Sequence, residues 1–220
     1  MIPIVHTFKK YESLITGVEK AIQQIAETHA KCLRCAPRCS DCCHAVFDLS
    51  LIESVYINHR FYELLDKAQQ DRILERAGRA DRQAYRLKRK IHRLLSQGEK
   101  SEAEILALLA EERLRCPFLN DTELCDFYAY RPVTCRAYGL STIIRGAGYS
   151  CGKSGFTAGG SYQSINLDRI NQYLGKLSEE LLEEIGGRED SLKERLVPLS
   201  TALLTDYDED YFGIKQACAV

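Results

Sequence analysis

The sequence predicts a mainly α protein whose helices pack around an irregular, cysteine-rich metal-binding core, with little or no sheet. Three observations carry that prediction. Apolar residues recur at three- and four-residue steps over long stretches, the mark of amphipathic helices. Strand-like runs are few, residues 141–144 being the best of them. Nine of the ten cysteines fall into two groups that helical sequence separates. At 220 residues, 45% hydrophobic and 28% charged, the chain suits one globular unit. It reads as a single cysteine-cluster domain over 1–220, with a helical insertion at about 50–114.

The elements follow in order. Phe8, Tyr11, Leu14, Ile15, Val18, Ile22, Ile25 and His29 share one helical face and deliver the chain into the first cysteine group. Ser50 and Glu53 have capping-box spacing and open a second helix carrying Leu51, Ile52, Val55, Tyr56, Phe61 and Leu65. Residues 71–97 are helical by pattern and strongly basic: nine Lys and Arg lie from Arg72 to Arg93 against Glu75 and Asp81. Gly98 ends that helix, and Ser101 with Glu104 caps the next, over 102–114. Over 115–162, Cys, Pro, Gly and Tyr replace the periodicity, so an irregular segment is expected. Leu167, Ile170, Tyr173, Leu174, Leu177, Leu181, Leu182 and Ile185 give a further helix, stopped by Gly186 and Gly187. A short helix is expected near 189–196, ending before Pro198.

Charge and hydropathy exclude some functions. Thirty basic against thirty-one acidic residues leave a net charge of −1, so no overall field draws nucleic acid or a membrane surface. The longest apolar run, 105–110, is far short of the ~18 residues that span a bilayer. Lys9 and Lys10 follow the apolar start rather than precede it, unlike a secretory signal. A cytoplasmic protein is expected. The basic helix carries no interleaved aromatics except Tyr85, so a solvated face is expected there rather than a nucleic-acid surface.

The cysteines carry the chemistry. The first group is Cys32, Cys35, Cys39, Cys42 and Cys43; the second is Cys116, Cys125, Cys135 and Cys151. Thiolates are soft anionic ligands for zinc, iron–sulfur clusters or Cu(I), and in a reducing compartment such spacing means metal more often than disulfides. Short spacings let one turn present two sulfurs, while the distant group closes the site and staples the long irregular segment. Neighbouring side chains of a regular backbone diverge. Cys42 and Cys43 are therefore expected to serve different metal atoms, or one of them to pack as a small hydrophobe. Cys218 stands alone.

Cys35-Ala-Pro-Arg-Cys39-Ser-Asp-Cys42-Cys43-His44, then Cys116-Pro-Phe-Leu, then Cys125 through Arg131-Pro132 to Cys135-Arg136, resembles the YkgJ-type cysteine-cluster proteins. These are the CxxCxxCC family of zinc- or iron-chelating domains. The likeness spans about 35–151, with three residues rather than two between Cys35 and Cys39 and 72 residues between Cys43 and Cys116. It implies Cys39, Cys42, Cys43, Cys116, Cys125 and Cys135 as the metal-binding core, followed by Cys35, Cys151 and Cys32. Arg131-Pro132 would be the turn that aims Cys135. Arg131 and Arg136 would offset the thiolate charge by hydrogen bonds from behind the ligands.

Because more than four thiols are available, an iron–sulfur cluster of the [4Fe–4S] type with a redox or electron-transfer role is the leading expectation, with a redox or protein partner. The alternatives are a structural zinc module and a protein lysine N-methyltransferase similar to the flagellin methylases, which carry such a cluster. His44 is expected as a ligand or as a hydrogen-bonding neighbour of one. Tyr128, Tyr130, Tyr138 and Tyr149 are expected to pack around the site. Gly146, Gly148 and Gly152 lack dinucleotide-loop spacing and are read as a glycine-rich approach to Cys151.

Overall fold

The computed structural model describes residues 2–157 and 159–214, apart from the side chains of Glu102, Ala103 and Leu106, so Cys218 lies outside the described residues. The architecture is mainly α, 56% helix and 7% strand. Helix α1 (His6–Thr28) buries Phe8, Tyr11, Val18 and Ile25 along one side. Its first residues have no cap of their own. Instead the Glu184 carboxylate, from a distant helix, accepts from the backbone N–H groups of Val5, His6 and Thr7 and from the Thr7 hydroxyl.

Helix α2 (Leu51–Leu64) opens with the expected capping box and is buried along most of its length. Helix α3 (Lys67–Ser96) starts four residues before the expected 71, because Asp66 and Gln69 form a second capping box. Ile73, Ala77, Ala80, Ala84, Leu87 and Leu94 make its buried stripe. Several of its cations are committed within the molecule. Arg76 holds Asp126, Arg79 holds Glu75, Lys88 holds Asp48 and Lys90 holds Glu112.

Helix α4 (Glu102–Glu111) stops three residues short of the expected 114. From there the chain runs extended, so that Leu114 N–H can donate to His44 O and Cys116 N–H to Cys43 O. A five-residue helix, α5 (Val133–Ala137), lies inside the segment expected to be irregular and is too short to show a period. Helix α6 (Leu167–Ile185) has both expected ends, with Asn166 as N-cap and Gly186 at φ 69° as the left-handed stop.

The helix expected near 189–196 is absent. Only a single 3₁₀ turn, Asp190–Leu192, occurs there. Leu192 is buried but Leu196 is 60% exposed, so the stretch has one apolar anchor rather than a helical face. Helix α7 (Leu199–Leu204) begins directly after Pro198, whose fixed φ suits a helix start. It packs closely against α3 and α2.

The strands are short. β1 (Asp48–Leu49), β2 (Thr142–Ile144), β3 (Ala147–Tyr149), β4 (Ile165–Asn166) and β5 (Val197–Pro198) form two small sheets. β1 pairs antiparallel with β5, and β2 lies between antiparallel β3 and parallel β4. Arg145 and Gly146, at φ 51° and 73°, make the two-residue turn between β2 and β3. Their N–H groups donate to Asp168. The glycine-rich run is thus a hairpin whose turn donors already hold a carboxylate.

Two apolar clusters organise the chain. The larger joins α1, α2, α3, α6 and α7 and receives Phe118 and Phe127; the smaller joins Val18 and Ile25 with Val133, Ala137, Leu140, Phe156, Ile165 and Leu167. The cysteine-rich segment is therefore anchored by apolar side chains in both cores, and is not held by its cysteines alone.

Glu184→Ala should cost about 1 kcal/mol, the usual worth of an N-cap acceptor. Partial burial would raise the Glu184 pKa, but the Thr7 hydroxyl and the N–H groups of His6, Thr7 and Val5 outweigh it and hold the pKa at about 2. A lowered carboxyl pKa contributes stability above the unfolded value of 4.5. That contribution is lost as pH falls towards about 2. In urea titrations the gap between wild type and variant should be full at neutral pH and close over that acid window.

Candidate metal centre

Cys32, Cys42 and Cys43 of the first group lie on two tight 3₁₀ turns, with Cys35 and Cys39 on the irregular stretch between them. The chain leaves α1 through Ala30–Cys32, passes Arg38 in a left-handed conformation (φ 69°), and turns again over Asp41–His44. Cys43 N–H donates to Ser40 O, and His44 Nδ1 sits 3.0 Å from the same carbonyl. This coiling brings Cys42 Sγ to 3.9 Å from Cys43 Sγ. The two sulfurs thus approach each other although neighbouring side chains of a 3₁₀ turn leave the backbone in different directions.

The second group closes on the first. The hydrogen bond from Cys116 N–H to Cys43 O, at 2.7 Å, sets these two cysteines side by side. Cys125 follows a turn organised by the Asn120 side chain, which accepts from the Thr122 and Leu124 N–H groups and donates to Asp126. Cys135 rides on α5, whose Val133 N–H donates to the buried carboxylate of Glu53. Glu53 also accepts from the backbone and hydroxyl of Ser50. One side chain therefore caps α2 and α5 together.

Electrostatics groups the thiols. Burial, then the neighbouring thiols Cys42, Cys43 and Cys125, push Cys135 well above the ordinary thiol range. Cys43 is pushed up to about 12, first by its contact with Cys116. Cys42 is raised chiefly by Cys43 and then by burial, and Cys125 chiefly by burial. Cys42, Cys43, Cys116, Cys125 and Cys135 thus form an inner set in which each negative charge would penalise the next. The Arg131 guanidinium opposes that penalty at Cys42, Cys125 and Cys135. Arg131 lies 3.5 Å over the Tyr128 ring and donates to Tyr128 O.

Arg136 has a different place. It donates to the carbonyls of Ala129 and Arg131 and pairs with Glu19 on α1, so it braces the loop that carries Arg131.

An outer set lies beside the inner one. Burial raises Cys35, and Cys39, Cys151 and Cys42 add to it. Cys35 nestles at Gly139, where a Cβ would come within 2.6 Å of its sulfur. Cys151 donates to Asp41 Oδ2 at 3.4 Å. Asp41 also receives the Tyr138 hydroxyl, Arg113 and Lys153. Burial alone would raise its pKa; these partners hold it at about 2. Cys32 stands apart, packed against the smaller apolar cluster, with its carbonyl taking Gly155 N–H.

Residues 34–153 match the model of the CxxCxxCC family, described as "Putative zinc- or iron-chelating domain". The chain belongs to this family. No curated protein and no solved structure matches the chain. The CxxCxxCC match begins one residue before Cys35 and ends two after Cys151, so Cys32 lies outside it, as it does in the fold.

The donor set of this CxxCxxCC domain fits a soft metal. Nine described cysteines are free and partly accessible. Burial and neighbouring charge penalise ionisation of Cys35, Cys42, Cys43, Cys125, Cys135 and Cys151, a penalty that a cation reverses. Among the described residues no three His, Cys, Asp or Glu side chains meet at the spacing of one ion's shell; the Cys42 and Cys43 sulfurs stand 3.9 Å apart.

Two residues matter that the motif spacing does not flag. Asp41 sits inside the first cysteine run, and a carboxylate between candidate ligands was its only signal. Glu53 shows in the sequence as a helix cap and nothing more. Of the four tyrosines expected to pack around the site, Tyr138 bonds Asp41 and Tyr130 packs on Phe127, whereas Tyr128 stacks on Arg131 at the surface and Tyr149 is exposed.

Proposed function

We propose that this metal-chelating domain holds an iron–sulfur cluster of the [4Fe–4S] type, with its four thiolate ligands drawn from Cys42, Cys43, Cys116, Cys125 and Cys135, and serves a redox or electron-transfer role. The grouping of these thiols beside Arg131 carries this reading: a cluster takes four thiolates, and its several iron atoms can accept both members of the adjacent Cys42–Cys43 pair. Cys35, Cys39 and Cys151 flank that group and are the reserve ligands. When bound, the cluster supplies an electron couple whose potential depends on charge and hydrogen bonding around its sulfurs. Arg131 contributes the positive charge and Asp41 ties the outer loop down. Free thiols throughout the described cysteines suit a reducing compartment such as the cytoplasm. Among the described residues no helix is long and apolar enough to cross a membrane.

One observation favours zinc instead. Ligands about 2.3 Å from a tetrahedral zinc stand about 3.8 Å apart, close to the 3.9 Å between Cys42 and Cys43. Anaerobic purification followed by an absorption spectrum and metal and sulfide analysis decides between them. Iron with inorganic sulfide and a broad band near ~400 nm is the expected outcome. Stoichiometric zinc in a colourless protein would replace the cluster with a structural staple.

A further inference from the structure

Helix α3 carries a row of arginines on the side opposite its buried stripe. At about 100° per residue, Ile73, Ala77, Ala80, Ala84 and Leu87 turn to one side and into the core. Arg82, Arg86, Arg89 and Arg93 follow one another at steps of four, three and four residues. Those steps hold all four within a sector of about 60° on the opposite side, along about 17 Å of helix. All four are exposed. Arg76, Arg79, Lys88 and Lys90 are held by carboxylates, but among the described residues no carboxylate pairs with the four of this ridge. Arg89 lies over the Tyr85 ring, 5.8 Å from its centroid, a stacking that leaves its N–H groups available. Helix α3 has no Asp or Glu after Asp81, which already accepts from Ser200 and Thr201. Like charges three and four residues apart repel, so the ridge works against α3 until an anion lies along it.

We propose that Arg82, Arg86, Arg89 and Arg93 form a docking surface for double-stranded DNA, with α3 along the major groove and the guanidinium groups on phosphates. Charge complementarity decides the occupant. Guanidinium forks match phosphate oxygens, and a row of four with no acid or large apolar side chain among them suits a uniform line of anions. The core of a protein interface is instead poor in charge. Tyr85 is the one Phe, Tyr or Trp on α3, too few to stack unpaired bases, so the scarcity of aromatics speaks against a single strand and not against a duplex. A helix about 10–12 Å across fits the major groove of B-DNA, about 12 Å wide, whereas that of duplex RNA is deep and narrow. The net charge of −1 supplies no long-range pull, so the ridge contacts themselves carry the binding. This surface is independent of the metal reading above.

The test uses the full chain and a labelled DNA duplex of about 20 base pairs, followed by fluorescence anisotropy between about 50 and 200 mM salt. The single strand, an RNA duplex of the same sequence and a poly-glutamate peptide are the comparison probes. Saturable duplex binding is expected, and four neutralised phosphates give a slope of log affinity against log salt of about −3.6, a loss of roughly 150-fold over that range. The double variant Arg82→Gln with Arg86→Gln should weaken binding and bring the slope to about −1.8. Lys20→Gln with Lys176→Gln removes the same charge from exposed positions on α1 and α6 and should leave the slope unchanged. All four substitutions are at exposed positions, so the fold is kept. No saturable duplex binding, or a slope that the ridge variant leaves unchanged or the control lowers equally, would overturn the proposal. Binding of the single strand or the RNA duplex as tightly as the DNA duplex would overturn the groove placement. A poly-glutamate peptide bound as tightly would assign the ridge to an acidic protein instead. Metal content measured on the same samples keeps the two readings apart. DNA binding by a preparation without metal would leave this surface standing, and a loaded centre without DNA binding would sink it alone.

Discussion

Cys135→Ser protein is expected to lose metal affinity by more than the 10–100-fold typical of disturbing a partner behind the ligands, while Cys32→Ser keeps it. Cys135 is the most deeply enclosed thiol of the inner set, and burial dominates its raised pKa. A serine hydroxyl is nearly the same size but is a hard, weakly acidic donor, so the substitution removes ligand chemistry with little change in packing. Cys32 packs against a separate apolar cluster and none of the thiol shifts involves it. Competition with a chromogenic chelator, on samples whose helical circular dichroism matches wild type, measures both. Equal metal loss at Cys32 and Cys135 would refute the division into sets. Unchanged affinity at Cys135 would remove it from the site.

Glu53→Ala should destabilise the protein by about 2–4 kcal/mol. Leaving a buried donor such as Val133 N–H without a partner costs about 1–3 kcal/mol, and losing the α2 cap adds about 1 kcal/mol. The same change frees the start of α5, so metal affinity should fall along with stability. Glu53→Gln keeps an acceptor oxygen and should recover most of both. The pH dependence separates charge from shape. Burial raises the Glu53 pKa above 4.5, and the bonds from Val133 and Ser50 offset only part of that rise. A raised carboxyl pKa favours the fold below the unfolded value and loses that benefit as pH rises through the folded one. Urea midpoints of wild type should show this loss above pH 4.5, and those of Glu53→Gln, which cannot ionise, should not. Parallel pH profiles would show that Glu53 acts through shape alone.

The helices that sequence reading located well are those whose signals are local and repeated. α6 combines a long run of three- and four-residue steps with a glycine pair at its end. The start of α2 rests on Ser50 and Glu53, three residues apart. α5 and α7 escaped because five or six residues contain too little period to read. The apparent helix near 189–196 failed because the stretch has one buried apolar anchor, Leu192, with Leu196 left exposed, and so no face to pack.

The candidate site divides in the same way. The two cysteine groups, their suitability for a soft metal, and the family they resemble were legible from residue type and spacing, because ligand chemistry belongs to the side chain itself. Which thiols stand together was not. The approach of Cys42 to Cys43 within the Asp41–His44 turn is not visible in their spacing. The separation of Cys32 depends on where α1 ends against the smaller core. Cys135 owes its position to Glu53, eighty-two residues earlier in the chain, which caps the helix that bears it. By itself the sequence determined a mainly α, thiol-rich metal-binding chain, since periodicity, caps and donor chemistry act within a few residues. Only tertiary structure decided the grouping of the thiols and the place of Arg131 among them. Those arise where segments remote in the chain are pressed together by burial of Phe118, Phe127, Val133 and Leu140 in two cores.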